Sequence, residues 1–156
     1  MATVNADYIN PFLLASTKVL KDMVMLDAKL GKPYINNDLS FKDDSLLIML
    51  GVTGEMKGQV ILCFKKEIAL DIASKMCMMP ITEMSELAQS AICELCNMIL
   101  GNAATVFSTK GILIDITPPT TCQGNVSFST DYAANICVPV VYEDDKTIEI
   151  NVSIKG

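Results

Sequence analysis

Apolar residues recur with helical spacing in three stretches of the chain. The first covers residues 10–30, and a start one or two turns earlier is equally compatible. Pro11 suits a first helical position, Lys29 the last turn and Gly31 the residue just past the end, while Pro33 forbids continuation. The second covers 66–79, turning Ile68, Ile72, Ala73 and Met76 inward and stopping at Pro80. The third and longest covers 83–109. Thr82 opens it, Glu83 and Glu86 sit at its positive end, and Lys110-Gly111 closes it. Its apolar stripe runs Met84, Ala88, Ile92, Leu95, Ile99, Ala103, Val106.

Between the helices the period shortens to that of strands, at 34–39, 45–52, 59–64, 112–117, weakly around Val126, 134–142 and 147–154. The last alternates Ile148, Ile150, Val152 and Ile154 with Thr147, Glu149, Asn151 and Ser153, which fits a sheet strand with one wet face; 143–146 makes the hairpin turn before it. Pro139 cannot donate to a ladder, so its strand is expected at an edge or a bulge. The order reads twice as helix, strand, hairpin, with the second helix joining the halves. This predicts an α+β fold of pseudo-duplicated helix-strand-hairpin halves, an antiparallel-rich sheet packed against two long helices, in a single domain spanning 1–156.

The polar side of the third helix is unusual. At 100° per residue, Ser90, Glu94, Asn97 and Gly101 fall at about 40°, 80°, 20° and 60° from Glu86, so they share one narrow face. Asn and Gly each cost roughly 0.5 to 1 kcal/mol against Ala inside a helix, and two of them on one stripe require a cause. Ser90, Gly101 and Ala104 are small and let a partner surface approach the backbone. Glu94 and Asn97, spaced i, i+3, leave the helix side by side. One offers an anionic acceptor for a cation; the other offers a donor and an acceptor at fixed geometry, able to hold a water or a phosphoryl oxygen. The plainer alternative is a pair of solvated surface residues. Aligning Gly31 with Gly111 sets Asn10, Leu14, Thr17 and Lys21 opposite the four, so the first helix lacks the stripe and its chemistry is expected once per chain.

Composition narrows the possibilities. At 156 residues and 51% apolar, the chain can bury a proper core. A net charge of −6 with no basic tract argues against nucleic acid and against an anionic membrane, and is compatible with a basic protein partner. The apolar runs are short, and residues 1–7 lack the basic start and apolar centre of a signal peptide, so a cytoplasmic protein is expected and the sequons at Asn125 and Asn151 carry no meaning. Six cysteines lie among apolar residues, as reduced thiols do; Cys93 and Cys96 form a lone CxxC inside a helix. With no histidine, zinc sites, phosphohistidine transfer and the usual triads lose a needed group. Gly51 to Gly58 has the wrong order for a phosphate loop, Lys before Gly with a strand after it, and reads as a hairpin. Asp43-Asp44 and Glu143-Asp144-Asp145 read as solvated turns, so no metal or cofactor is expected on this chain. The methionines are read mainly as core filler, with Met76, Met78 and Met79 able to line an interface.

The string Ser90-Ala-Ile-Cys-Glu94-Leu-Cys-Asn97-Met-Ile-Leu-Gly101-Asn-Ala-Ala-Thr105 resembles the helix motif of the CheC, CheX and FliY phosphatases of bacterial chemotaxis. In that motif Asp or Ser is followed after three residues by Glu, after two more by Asn, and commonly by Gly-Asn-Ala. Tyr8-Ile-Asn-Pro-Phe12, Gly31-Lys-Pro-Tyr34, Gly58-Gln-Val-Ile-Leu62 and the late Pro118-Pro119 and hairpin are also similar to CheX-like chains, and one motif rather than two places the chain nearer CheX than CheC. The resemblance implies a CheC-like fold and a target, the phosphorylated aspartate of a response-regulator receiver such as CheY. By the same resemblance Asn97 would orient a water for in-line attack, Glu94 would pair with the receiver's active-site lysine, and Ser90 and Gly101 would be contact positions. The receiver would bring its own divalent cation, Mg2+. A homodimer exchanging sheet elements is also implied. The alternative is a non-catalytic receiver-binding or switch-assembly module, because flagellar switch proteins resemble this fold without the catalytic pair.

Overall fold

The computed structural model describes residues 6–42, 44–128 and 135–155. In chain order these form α1 (Ala6–Val24), β1 (Lys29–Leu30), β2 (Tyr34–Ile35), β3 (Leu39–Phe41), β4 (Leu46–Gly54), β5 (Lys57–Phe64), α2 (Lys66–Cys77), α3 (Glu86–Thr109), β6 (Ile114–Ile116), β7 (Thr120–Gln123), β8 (Val126–Phe128), β9 (Ile136–Tyr142) and β10 (Lys146–Lys155). Eight strands make one antiparallel sheet in the order β1-β9-β10-β5-β4-β6, with β2 also on β9 and β7 also on β4; β3 and β8 pair as a separate ribbon. Along β4 and β5 side chains alternate between the faces. Ile48, Leu50, Val60 and Leu62 join the core under α1 and α3, while Leu47, Ile61 and Cys63 pack with the ribbon. The two long helices meet through an edge contact of Phe12 and Phe107, with ring centroids 5.3 Å apart.

The expected duplication is a two-fold in the topology. Exchanging β1 with β6, β2 with β7, β3 with β8, β4 with β9 and β5 with β10 returns the same strand order, centred on the β5–β10 pair. Register then replaces the alignment of the two glycines. In the matched hairpins Val52 corresponds to Val141, and their edge-strand partners are Ile116 and Lys29, so these two correspond as well. Carried without gaps into the helices, that offset sets Asp7, Asn10 and Leu14 opposite Glu94, Asn97 and Gly101. It also sets each buried α1 residue from Ile9 to Leu20 opposite a buried or half-buried α3 residue, with the small Ser16 facing the small Ala103.

The helix ends differ from expectation for identifiable reasons. α1 stops at Val24, not Leu30: Met25 turns left-handed at φ 59° and the Leu26 amide donates back to the Leu20 carbonyl at 3.1 Å. Pro11 lies inside α1, near its start, rather than at its first position. Gly31 follows a strand, where an added Cβ would stand 2.7 Å from Pro139 Cγ. α2 stops at Cys77, where left-handed Met78 lets Met79 donate to the Ser74 carbonyl. α3 starts at Glu86, because Ser85 and not Thr82 is the cap, its hydroxyl accepting from the Ala88 amide at 3.2 Å. In its last turn Phe107 is buried and Val106 only half-buried.

β9 is neither an edge nor bulged at Pro139. β1 pairs with Val140 and Val141 and β2 with Ile136 and Cys137, so Pro139 faces the break between them, where Gly31 donates to its carbonyl at 2.7 Å. The glycine-rich stretch after Gly51 is the β4–β5 hairpin, turning at Gly54 with φ +100°; at Gly58 an added Cβ would run into the Ser153 carbonyl of β10. By length and mean hydropathy, 1.3 over 18 residues, α3 alone among the described helices could cross a membrane; here its apolar side packs on α1 and the sheet.

The acidic turn after β9 is more than a solvated loop. Glu143 pairs with Lys75 at 3.4 Å and Lys146 at 3.5 Å, while Asp71 of α2 accepts from Lys75 at 2.7 Å, Tyr142 at 2.8 Å and Lys146 at 3.4 Å. Partial burial opposes the Asp71 charge, but the hydrogen bonds from Lys75 and Tyr142 and the charges of Lys75 and Lys146 outweigh it and hold the carboxyl below its usual value. A depressed folded-state pKa confers stability that is present above the unfolded value, about 3.9, and lost as pH falls through the folded one. Asp71→Asn is therefore expected to cost on the order of 1 kcal/mol at neutral pH and progressively less below about pH 4, read from urea midpoints.

Candidate active site on helix α3

Ser90, Glu94, Asn97 and Gly101 all lie exposed on α3, while Ala91, Ile92, Leu95, Cys96, Ile99 and Leu100 between them are buried. The four predicted residues therefore share one outward ridge. Neither Glu94 nor Asn97 makes a hydrogen bond or an ion pair with another described residue. Asn102, the second asparagine of the motif, differs: its side chain donates to the Met98 carbonyl at 3.1 Å. Among the described residues only Asn97 presents a free carboxamide on this face.

Gly101 is informative because nothing among the described residues requires it. An added Cβ would meet no atom within 4 Å, and the backbone there is ordinary helix. Alanine would be more stable at such a position by about 0.8 to 1 kcal/mol. The gap it leaves beside Asn97 has a use only if another surface comes close.

One flank of the ridge is held by β7, a strand the sequence pattern did not reveal. Cys93 Sγ lies 3.1 Å from Thr121 Oγ1, fixing the helix against the sheet one residue before Glu94. The CxxC is split between two environments. Cys96 is fully buried, and burial pushes its thiol well above the usual value, while Cys93 faces Thr121. All six cysteines are free thiols. Among the described residues no three His, Cys, Asp or Glu side chains cluster to hold a metal; Asp43 lies outside them.

Two clefts of the molecule lie away from the ridge. One of about 460 Å³ is lined by Phe41, Lys42, Lys65, Glu67 and Glu149, and another of about 740 Å³ by Leu14, Thr17, Lys18, Lys21 and Asp27; neither includes the four residues. On α1 the register-matched Asp7 and Asn10 repeat the acid and the carboxamide, but Leu14, 57% exposed, stands where α3 has Gly101.

Fold and ridge together define a pseudo-duplicated α+β protein with one open polar helix face. Residues 46–147 match the family described as chemotaxis phosphatase CheX, and the chain belongs to that family. It is 29% identical over 154 residues to the CheY-P phosphatase CheX of Thermotoga maritima, covering 98% of this chain and 99% of that protein. A CheC-like superfamily protein from Shewanella sp. PV-4 has a TM-score of 0.87 at 29% identity, covering 98% of this chain and 100% of the other. The CheX–CheY–BeF3–Mg2+ complex from Borrelia burgdorferi gives 0.82 at 31% identity, with 97% and 100% covered.

Proposed function

We propose that this chain hydrolyses the aspartyl phosphate of a CheY-like receiver, with Asn97 orienting the attacking water and Glu94 pairing with the receiver's active-site lysine. The observation that carries the reading is the Glu94/Asn97 pair, unpartnered among the described residues, beside a glycine that none of those residues requires. Membership of a chemotaxis phosphatase family, a relative named for CheY-P hydrolysis and another crystallised with CheY support it.

The chemistry asks little of this chain beyond placement. Water attacks phosphorus in line, the bond from phosphorus to the aspartyl oxygen breaks, the carboxylate leaves with that bonding pair, and the proton lost by water ends on the released phosphate. A carboxylate leaves readily, and the receiver's own Mg2+ offsets the charge on the phosphoryl oxygens. What remains is to hold one water on the correct side of phosphorus, which a carboxamide does by accepting a hydrogen bond from the water while its NH2 donates one to a phosphoryl oxygen. Glu94 draws the lysine and fixes the depth of insertion; Ser90 and Gly101 keep the approach open.

Glu94→Ala is expected to raise the half-saturating receiver concentration about tenfold, the worth of one charge-assisted contact, with a smaller change in the saturated rate. Steady-state decay of phosphorylated receiver measures both. The reading places the protein in the cytoplasm with its receiver, with one site per chain because Leu14 obstructs the matching α1 face. It includes a homodimer through the β1/β2 edge, where Leu30, Tyr34 and Ile35 are exposed; sedimentation measures that state. A non-catalytic receiver binder or switch-assembly module would leave decay unaccelerated when the protein is substoichiometric, which tests the whole reading.

A further inference from the structure

We infer that Leu87 is the apolar anchor that seats the receiver on α3, an inference that rests on the phosphatase reading above. Every other leucine, isoleucine and phenylalanine of α3 is buried, namely Ile92, Leu95, Ile99, Leu100 and Phe107, whereas Leu87 is 53% exposed. On the helical wheel it falls at about 100°, beside Glu94 at about 80°, and seven residues earlier, roughly 10 Å along the axis. The only ridge residue between them, Ser90, is too small to screen one from the other.

The polar pair by itself cannot hold a partner tightly. The Glu94 contact is worth about tenfold in affinity and the carboxamide less, far short of a stable complex, so most of the affinity has to come from apolar area removed from water. Leu87 is the one large apolar side chain α3 offers for that. Its neighbourhood in the chain defines the complement: Glu86 precedes it directly and Glu83 lies in the segment leading into the helix, both exposed, and α3 contains no lysine or arginine. The fitting surface is a shallow apolar recess with a basic rim, about 15 Å along the helix axis from the receiver's phosphoryl group at Asn97.

The test uses the full chain with Leu87→Asp, Leu87→Met and Asn97→Ala, measuring decay of a phosphorylated CheY-like receiver over a range of receiver concentrations. Leu87→Asp is expected to raise the half-saturating concentration at least tenfold with the saturated rate within about twofold, and Leu87→Met to behave as wild type. Circular dichroism should show the variants equally folded, because the side chain is exposed. Unchanged half-saturation in Leu87→Asp, or a loss confined to the saturated rate, overturns the anchor while the phosphatase reading stands on Asn97→Ala. A wild-type protein that does not accelerate decay at all overturns both.

Discussion

Asn97→Ala should lower the rate of receiver dephosphorylation at saturation by a factor on the order of 10² to 10³. The expectation follows from what the side chain does and does not touch. It is exposed and bonds to no described residue, so its loss removes nothing from the fold, and alanine is the better helix former. The unfolding midpoint should stay level or rise slightly while catalysis collapses, a divergence a structural role could not produce. Half-saturation should move little, because Glu94 and the rest of the ridge remain. Asn10→Ala is the matched control: it removes the register-equivalent carboxamide of α1 and should leave the rate within about twofold, since Leu14 obstructs that face.

Gly101→Leu should be comparably damaging by a different route. No described residue comes within 4 Å of the new Cβ, and leucine propagates a helix better than glycine by several tenths of a kcal/mol, so the variant should melt higher than wild type. The added side chain fills the space beside Asn97 into which the receiver must come, and catalytic efficiency should fall on the order of 10²-fold, through half-saturation as well as rate. Gly101→Ala should show a smaller version of both shifts. A more stable protein that is a poorer enzyme would mean that glycine is kept here for the partner. Thermal melts and steady-state decay, run on the same preparations, separate the two effects.

The ridge was legible in the sequence because it depends on phase. Ser90, Glu94, Asn97 and Gly101 share a face of any helix through those positions, whichever residue begins it, and the error in placing the cap at Thr82 rather than Ser85 moved none of them. The duplicated topology was legible for a related reason, since the order of helices and hairpins survives errors in their ends. Helix ends were not, because Met25 and Met78 take left-handed conformations usually signalled by glycine, and the glycine that was visible, Gly31, is needed for close approach to Pro139. That misplacement shifted the α1 alignment by about two turns, which preserves the face and so looked consistent, yet it hid the pairing of Leu14 with Gly101. β7 left no signal: it is four residues long and polar, and it is positioned by pairing with β4 rather than by any pattern of its own. Leu87 carries no sequence signal of its own, because one exposed leucine has no period.

The most direct test of the account is a time course of phosphate loss from a phosphorylated CheY-like receiver in excess over this protein, wild type beside Asn97→Ala. The account predicts many turnovers per wild-type chain and, for the variant, decay close to the receiver's own spontaneous rate. A variant that works as fast as wild type, or a wild-type chain that binds the receiver without hastening decay, would contradict it.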